Sequence, residues 1–481
     1  MTLGRQVTAL GRMDGGSNDF LAEPTNPAES SERIPTLLGV LCVLIPILPA
    51  FAVPAGPLKS NGSPAKVIAV VLFGLAVLGF LLVRRTTPTR TLRPGVVIIL
   101  IYFLVQLMVY GVGLTREDGA IVDANKTRAV IILIASVGVS LYILSRIRTM
   151  RQRDIVLGCL AIGLTFACLV GFLQAVSGID LRFLFEPPGF VTNTDAENLE
   201  LAIRFGSTRV DGTSQHPIEF SLLAAITVPL TIYFARNAAR TGLRWGAVLA
   251  CGLALVSMPA AGSRTGVVAL GAALLVYMWN FKAVQIALTL IVGSAGVVLY
   301  SAAFQSEAQA LWHAITGAEE DPSIQGRISD YAHVSQTFRE HPIFGLGLGG
   351  APPDVYGLLD NEWLRITVQG GIVGITAMIV LTAGGLFGIS AALRGAQTRV
   401  EREQAYVLGS MFAAILSSSF TFDLLFYQQA TLIFFILFGL LWCNFTVPPT
   451  YGSLPGRTSR HRVAGVPAGA EPGPLATLWR R

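Results

Sequence analysis

Twelve stretches of mainly apolar residues divide the chain, lying near 34–53, 67–83, 95–114, 129–144, 155–176, 218–235, 245–261, 266–279, 283–303, 366–393, 405–420 and 427–445. A helix needs about 20 such residues to cross the hydrocarbon core, where every backbone polar group must be bonded internally. The pattern predicts an all-α polytopic integral membrane protein with about twelve transmembrane helices. Composition closes off the alternative: 52% of the 481 residues are hydrophobic and 13% charged, against about 25% charged in soluble domains. A soluble enzyme is excluded.

Lys and Arg in short loops resist transfer out of the cytoplasm and so orient the spans. With a cytoplasmic N-terminus, the inward connections are 84–94, 145–154, 236–244, 280–282 and 394–403, and they hold fifteen of the 35 basic residues. The longer outward connections hold only twelve. Both termini are therefore expected in the cytoplasm. The net charge of +6 follows from this asymmetry and argues for no nucleic-acid partner. The expected organisation is a polar tail over 1–33, nine spans over 34–303 with an outward loop at 177–217, a large outward loop with helical segments at 304–365, three spans over 366–445, and a disordered tail over 446–481. The five cysteines all fall within spans, without metal-ligand or disulfide spacing. No cofactor is implied.

Long loops usually have a reason to be long. The first ends RFGSTRVDGTSQHPIEFS (204–221), which sets Arg204, Arg209, Asp211, His216 and Glu219 before a span. Its two arginines can clamp an anion, or the loop can be a solvated polar segment with His216 a turn residue before Pro217. In the tight turn GSRT (262–265), Arg264 is either a snorkelling interface residue or a phosphate ligand at a helix N-terminus, with Ser263 as the N-cap.

The second long loop contains GRISDYAHVSQTFREHP (326–342). Ile328, Tyr331, Val334 or Ser335, and Phe338 recur at helical spacing, so an amphipathic helix on the membrane surface is expected, with Arg327 near its start. His341 and Pro342 end it. The run Phe344-Gly345-Leu346-Gly347-Leu348-Gly349-Gly350 lets backbone approach a ligand, although it lacks the strand-to-helix setting of a nucleotide fingerprint. Next comes Asp360-Asn361-Glu362-Trp363, where Asp360 is either the N-cap of the following span or a general base.

These segments, in this order and on one side, resemble the membrane O-antigen ligase and polysaccharide polymerase family, most clearly over roughly 200–360 and on to 374. The resemblance implies a metal-independent, inverting glycosyltransferase at the outer face of the inner membrane. Placed in a bacterial inner (plasma) membrane, it would polymerise repeat units from a polyprenyl-diphosphate-linked glycan donor onto a glycan acceptor, alongside other polysaccharide assembly and export proteins. It also implies diphosphate-binding roles for Arg264, Arg327 and Arg209, with Arg204 and His216 as further substrate contacts. Ligases of the family typically carry His-Asn where this chain reads Asp360-Asn361. Asp360 would then be the base, with His341 or His216 as substitutes. Ligase-type transfer of a finished glycan to lipid or protein is the alternative. A flippase of lipid-linked oligosaccharide, or a secondary transporter, is the reading from another class, and the near absence of charge inside the spans weighs against it.

Overall fold

The computed structural model describes residues 35–49, 51–54, 61–82, 93–185, 188–192, 203–204, 207–316, 322–357 and 359–443, within the compact unit Met1–Phe445. The side chains of residues 203, 204 and 322–330 lie outside this description, as do both terminal tails. Every apolar stretch is a helix. In chain order these are α1 (Thr36–Ile47), α2 (Pro64–Leu82), α3 (Pro94–Leu114), α4 (Ala120–Arg146), α5 (Met150–Ser177), α6 (Pro217–Asn237), α7 (Thr241–Ala260), α8 (Arg264–Met278) and α9 (Ala283–Ala303). The long second loop supplies α10 (Gln305–Thr316), α11 (Pro322–Glu340) and α12 (Pro353–Tyr356), and the chain continues with α13 (Glu362–Gly395), α14 (Arg399–Ser418) and α15 (Gln428–Leu441).

Eight of these helices, α2 to α7 with α9 and α13, are long and apolar enough to cross a membrane. The protein is thus an all-α, multi-pass membrane protein. The expected count of twelve crossings rests on four more helices. Three of them, α1, α8 and α15, have 12 to 15 residues, about 18–23 Å at 1.5 Å per residue, short of a full crossing by length alone. The fourth, α14, opens with the charged turn Arg399-Val400-Glu401-Arg402-Glu403.

Helix ends follow local chemistry. Pro94 and Pro217 occupy first-turn positions where no N–H is needed. Thr149 and Thr398 accept bonds from Gln152 N and Glu401 N, the second within a capping box. All fourteen residues of α15 are buried, which makes it the central helix, packed against α1, α4, α6, α13 and α14. By contrast α9 buries no residue, as suits a helix whose solvent is lipid.

Polar contacts segregate to the two ends of the bundle. One end joins the alternate connections 115–119, 207–216, 261–264, 341–361 and 419–427, for example through Arg116 to Gly345 O and Thr265 to Thr421. Pairing of β1 (Ala52–Pro54) with β2 (Phe190–Thr192) belongs to the same set of loops. At the other end Arg153 bonds Gln404, Asp154 accepts from Tyr233, and Arg236 pairs with Glu403. The buried charges Lys66, Lys126, Arg153, Glu219, Glu362 and Glu403 all sit within two turns of a helix end.

One helix is broken. At Gly371 α13 has φ 56° and ψ −151°, and the segment 342–347 fills the gap. Ile372 N and Val373 N donate to Pro342 O and Ile343 O, while Leu346 N and Gly347 N donate to Val368 O and Gln369 O. Non-helical backbone at this depth survives because protein satisfies it. The glycine run makes a close approach of its own, to helix backbone. A Cβ on Gly345 would meet Val368 O at 2.4 Å, and one on Gly349 would meet the Lys126 Cα at 2.7 Å. The amphipathic face of α11 is also shifted. Val334 and Thr337 are buried and Tyr331 is exposed, because the loop core formed with Leu346, Ala351, Leu359 and Val368 selects that face.

Candidate functional site

The segment before α6 is not a solvated loop. Asp211, Thr213 and Ser214 are buried, and each is tied into the bundle: Thr213 Oγ1 donates to Pro46 O, Ser214 Oγ donates to Gln429 Oε1, and Gly212 N donates to Gln174 Oε1. Gly212 has φ 57° and a Cβ there would strike Phe220 at 2.5 Å, so only glycine fits. Glu219, fully buried, accepts from Gln215 N (3.2 Å) and Ala430 N (3.0 Å) and so clamps this segment to the start of α15. Asp211 pairs with Arg182 at 3.2 Å. Burial drives its carboxyl up to about 7, although Arg182 and Arg209 pull it down.

Arg209 is carried by this rigid segment to the turn between α7 and α8. Its Nε donates to Ala261 O at 2.9 Å, and its side chain lies along Gly262. Val210 N donates to Ala260 O, which fixes the register. Arg264 is the first residue of α8, half-buried, three positions beyond the carbonyl that Arg209 holds. Ser263 stands at the cap position but makes no side-chain cap bond, contrary to the expectation. Two guanidinium-bearing residues from separate parts of the chain therefore meet at one helix N-terminus, whose own N–H groups favour an anion.

His216 is the N-cap of α6. Its Nδ1 accepts from Ile218 N at 3.2 Å, so the proton sits on Nε2. Burial, then the nearby charge of Arg209, lowers the imidazole to about 3. In this setting His216 is a neutral hydrogen-bond donor and not a proton acceptor.

The start of α13 faces the same region. Its N-cap is Asn361, whose Oδ1 accepts from Trp363 N and Leu364 N. That leaves Asp360 without the capping role allowed for it in the sequence. Asp360 is half-buried and has φ 44°, the single positive value among described non-glycine residues, a conformation that aspartate tolerates better than most. The turn 419–427 holds this corner: Glu362 N donates to Ser419 O, Trp363 Nε1 donates to Ser419 Oγ, and Asn361 N donates to Asp423 Oδ1 at 3.1 Å. Burial raises the Asp423 carboxyl to about 7, with Arg365 opposing and Glu362 and Asp360 adding to the rise. Glu362 is committed elsewhere, to Arg365 at 2.9 Å and Leu425 N at 2.8 Å.

Thr265 Oγ1 donates to Thr421 Oγ1 at 3.0 Å, joining the α8 terminus to the Asp360–Asp423 corner. Tyr427 ends the same turn, and its ring centroid is 5.9 Å from that of His216. Burial raises its hydroxyl, as do the charges of Glu219, Asp423, Asp360 and Asp211. Asp423 and Tyr427 are the residues that sequence reasoning did not single out. Their only sequence signal is a polar interruption, Thr421 to Gln429, between two apolar helices.

The remaining expectations divide. His341 follows the last residue of α11 and its carbonyl accepts from Gly345 N, so it helps turn the chain into the glycine run. Arg327 lies on α11 and Arg204 on β3 (Ile203–Arg204), which pairs with β4 (Ser207–Thr208). Both of these side chains fall outside the described residues.

Residues 247–379 match the family model described as O-antigen ligase, which supports the resemblance drawn from the motifs. The matched stretch runs from within α7 to the middle of α13, and so includes Arg264, the glycine run and Asp360. The Arg209 segment and the 419–427 turn lie outside it. No curated protein matches the chain significantly.

Proposed function

We propose, from that family match, that the protein is an inverting glycosyltransferase that extends a glycan from a polyprenyl-diphosphate-linked donor at the outer face of a bacterial plasma membrane. The observation that carries this reading is the meeting of Arg209 and Arg264 at the N-terminus of α8, joined through Thr265 and Thr421 to the Asp360–Asp423 corner. A lipid-linked diphosphate brings its own leaving group, so the protein needs positive charge where negative charge develops and a base for the acceptor.

In this reading the acceptor hydroxyl loses its proton to Asp360 as its oxygen attacks the anomeric carbon. The bond from that carbon to the diphosphate breaks, and the departing oxygen is stabilised by Arg209 and Arg264, with Arg327 and Arg204 as further candidates. His216 donates through Nε2. Asp423 orients the corner by holding Asn361 N, and its proximity favours the protonated form of one carboxyl of the pair. Among the described residues buried charge lies at helix ends and in the connecting segments, which fits chemistry at a membrane surface better than a carrier with a midplane site.

The test is reaction of purified protein with a defined polyprenyl-diphosphate oligosaccharide, followed by product sizing. Growth in multiples of one repeat identifies a polymerase. A single transfer identifies ligase-type chemistry, the reading that the description of the matched family favours. Arg264→Gln and Arg209→Gln should lower turnover by about 10²–10³-fold in protein that still runs as a monodisperse peak. Asp360→Asn, which keeps a residue tolerant of the left-handed turn, should lower turnover by about 10²–10⁴-fold and remove the acid limb of its pH profile. Full turnover in Asp360→Asn would exclude it as the base.

A further inference from the structure

A pocket partly open to its surroundings lies between α3, α4, α13 and the start of α15. Tyr102, Phe426 and Phe435 give it aromatic walls, and Gln106, Asn125 and Gln369 line it with amides. Two arginines face it, and they differ. Arg365 is neutralised by Glu362, its partner at 2.9 Å. Arg128 of α4 has its guanidinium carbon 5.1 Å from the Phe426 ring centroid. Among the described residues it has no hydrogen bond or ion pair; Asp354, the acid whose charge reaches it, is exposed on α12. The pocket thus carries net positive charge in a place of low polarity, which favours an anion.

The turn 419–427 relates this pocket to the arginines at α8. Leu425 and Phe426 form a pocket wall, while Thr421 of the same turn bonds Thr265 beside Arg264. We propose that the Arg128 pocket is a second oxyanion subsite of the glycan substrate, distinct from the Arg209–Arg264 terminus. This rests on the transferase reading. The group it takes is a carboxylate or phosphate borne on a saccharide, with the sugar against the aromatic walls and the anion on the Arg128 guanidinium. Such a group has two sources: an acidic sugar of the repeat unit, or the diphosphate of the lipid donor.

Direct binding to the purified full-length protein in detergent separates them. The probes are a uronic-acid-containing disaccharide, its carboxyl-reduced neutral counterpart, and farnesyl diphosphate. Wild-type protein should prefer the acidic disaccharide over the neutral one by about 10-fold, the ratio expected for one charge-assisted hydrogen bond. Arg128→Gln should abolish that preference and Arg128→Lys should keep part of it. Arg264→Gln should leave it intact while weakening farnesyl diphosphate. If Arg128→Gln weakens farnesyl diphosphate instead, the oxyanion is that of the donor. Equal binding of both disaccharides together with unaltered farnesyl diphosphate binding in Arg128→Gln overturns the proposal. Because the readout is binding, a failure of turnover bears on the transferase reading and not on the subsite.

Discussion

Two adjacent glycines in α13 should respond oppositely to the same substitution. A Cβ on Gly370 meets nothing within 4 Å, whereas on Gly371 it would meet Pro342 O at 2.5 Å, Ile343 O at 2.6 Å and Ile343 C at 2.7 Å. All three are backbone atoms, which cannot swing away as a side-chain tip can. The φ of 56° with ψ of −151° is also accessible essentially to glycine alone, and forcing another residue there costs about 1–3 kcal/mol. Moving 342–343 aside breaks the bonds from Ile372 N and Val373 N, at roughly 1 kcal/mol each. Together Gly371→Ala should destabilise the fold by about 3–5 kcal/mol, while Gly370→Ala should change it by under about 1 kcal/mol, with helix propensity favouring alanine. Thermal unfolding of the two variants in the same detergent measures the difference. At about 2 °C per kcal/mol for a chain of this size, Gly371→Ala should melt about 6–10 °C below wild type. Equal midpoints for the two variants would refute the broken helix.

Glu219→Gln should cost about 1–3 kcal/mol, since an amide has one acceptor oxygen for the two backbone donors at Gln215 and Ala430; a midpoint unchanged from wild type would show that Glu219 is not the clamp. His216→Asn keeps an N-cap acceptor and tests the partly buried imidazole. The folded-state value of about 3 lies below the ordinary 6.5, so His216 contributes stability above pH 6.5 that is lost as pH falls toward 3. The acid-side loss in the variant should therefore be smaller, and identical melting profiles between pH 7 and 4 would count against the partly buried neutral histidine. Asp423 has the opposite sign: its carboxyl is raised from 3.8 to about 7, so the stability it contributes is present below pH 3.8 and lost as pH rises to 7. Asp423→Asn should flatten that decline, as read by unfolding at pH 4 and pH 7.

The spans were legible because lipid imposes a one-dimensional rule: each of the twelve apolar stretches falls on a helix, with boundaries that coincide at 283–303 and Ala283–Ala303 but lie well apart at 129–144 and Ala120–Arg146, where a polar first turn extends the helix. Helix ends at Pro217 and Thr398 were equally local matters. The 207–216 segment was harder to read. Its Asp211, Thr213 and Ser214 have the composition of a wet loop, yet their partners are Arg182, Pro46 and Gln429, up to 215 positions away. The capping role allowed for Asp360 passed to Asn361 because a single backbone dihedral, φ 44°, turns the preceding residue out of the helix. Neither fact has a signature in spacing.

What the sequence by itself determined is the membrane as solvent, the helices that answer it, and the grouping of the motif-bearing loops on alternate connections, all of which follow from burying peptide groups in hydrocarbon and from where positive charge accumulates. Only the tertiary structure decided that Gly345, Gly347 and Gly349 lie close against helix backbone, that α13 is interrupted at Gly371, that Arg209 reaches the turn before Arg264, and that Arg128 faces a pocket with no acid bonded to it among the described residues. These depend on contacts between segments distant along the chain, and the energy of such a contact belongs to the pair and is written in neither segment alone.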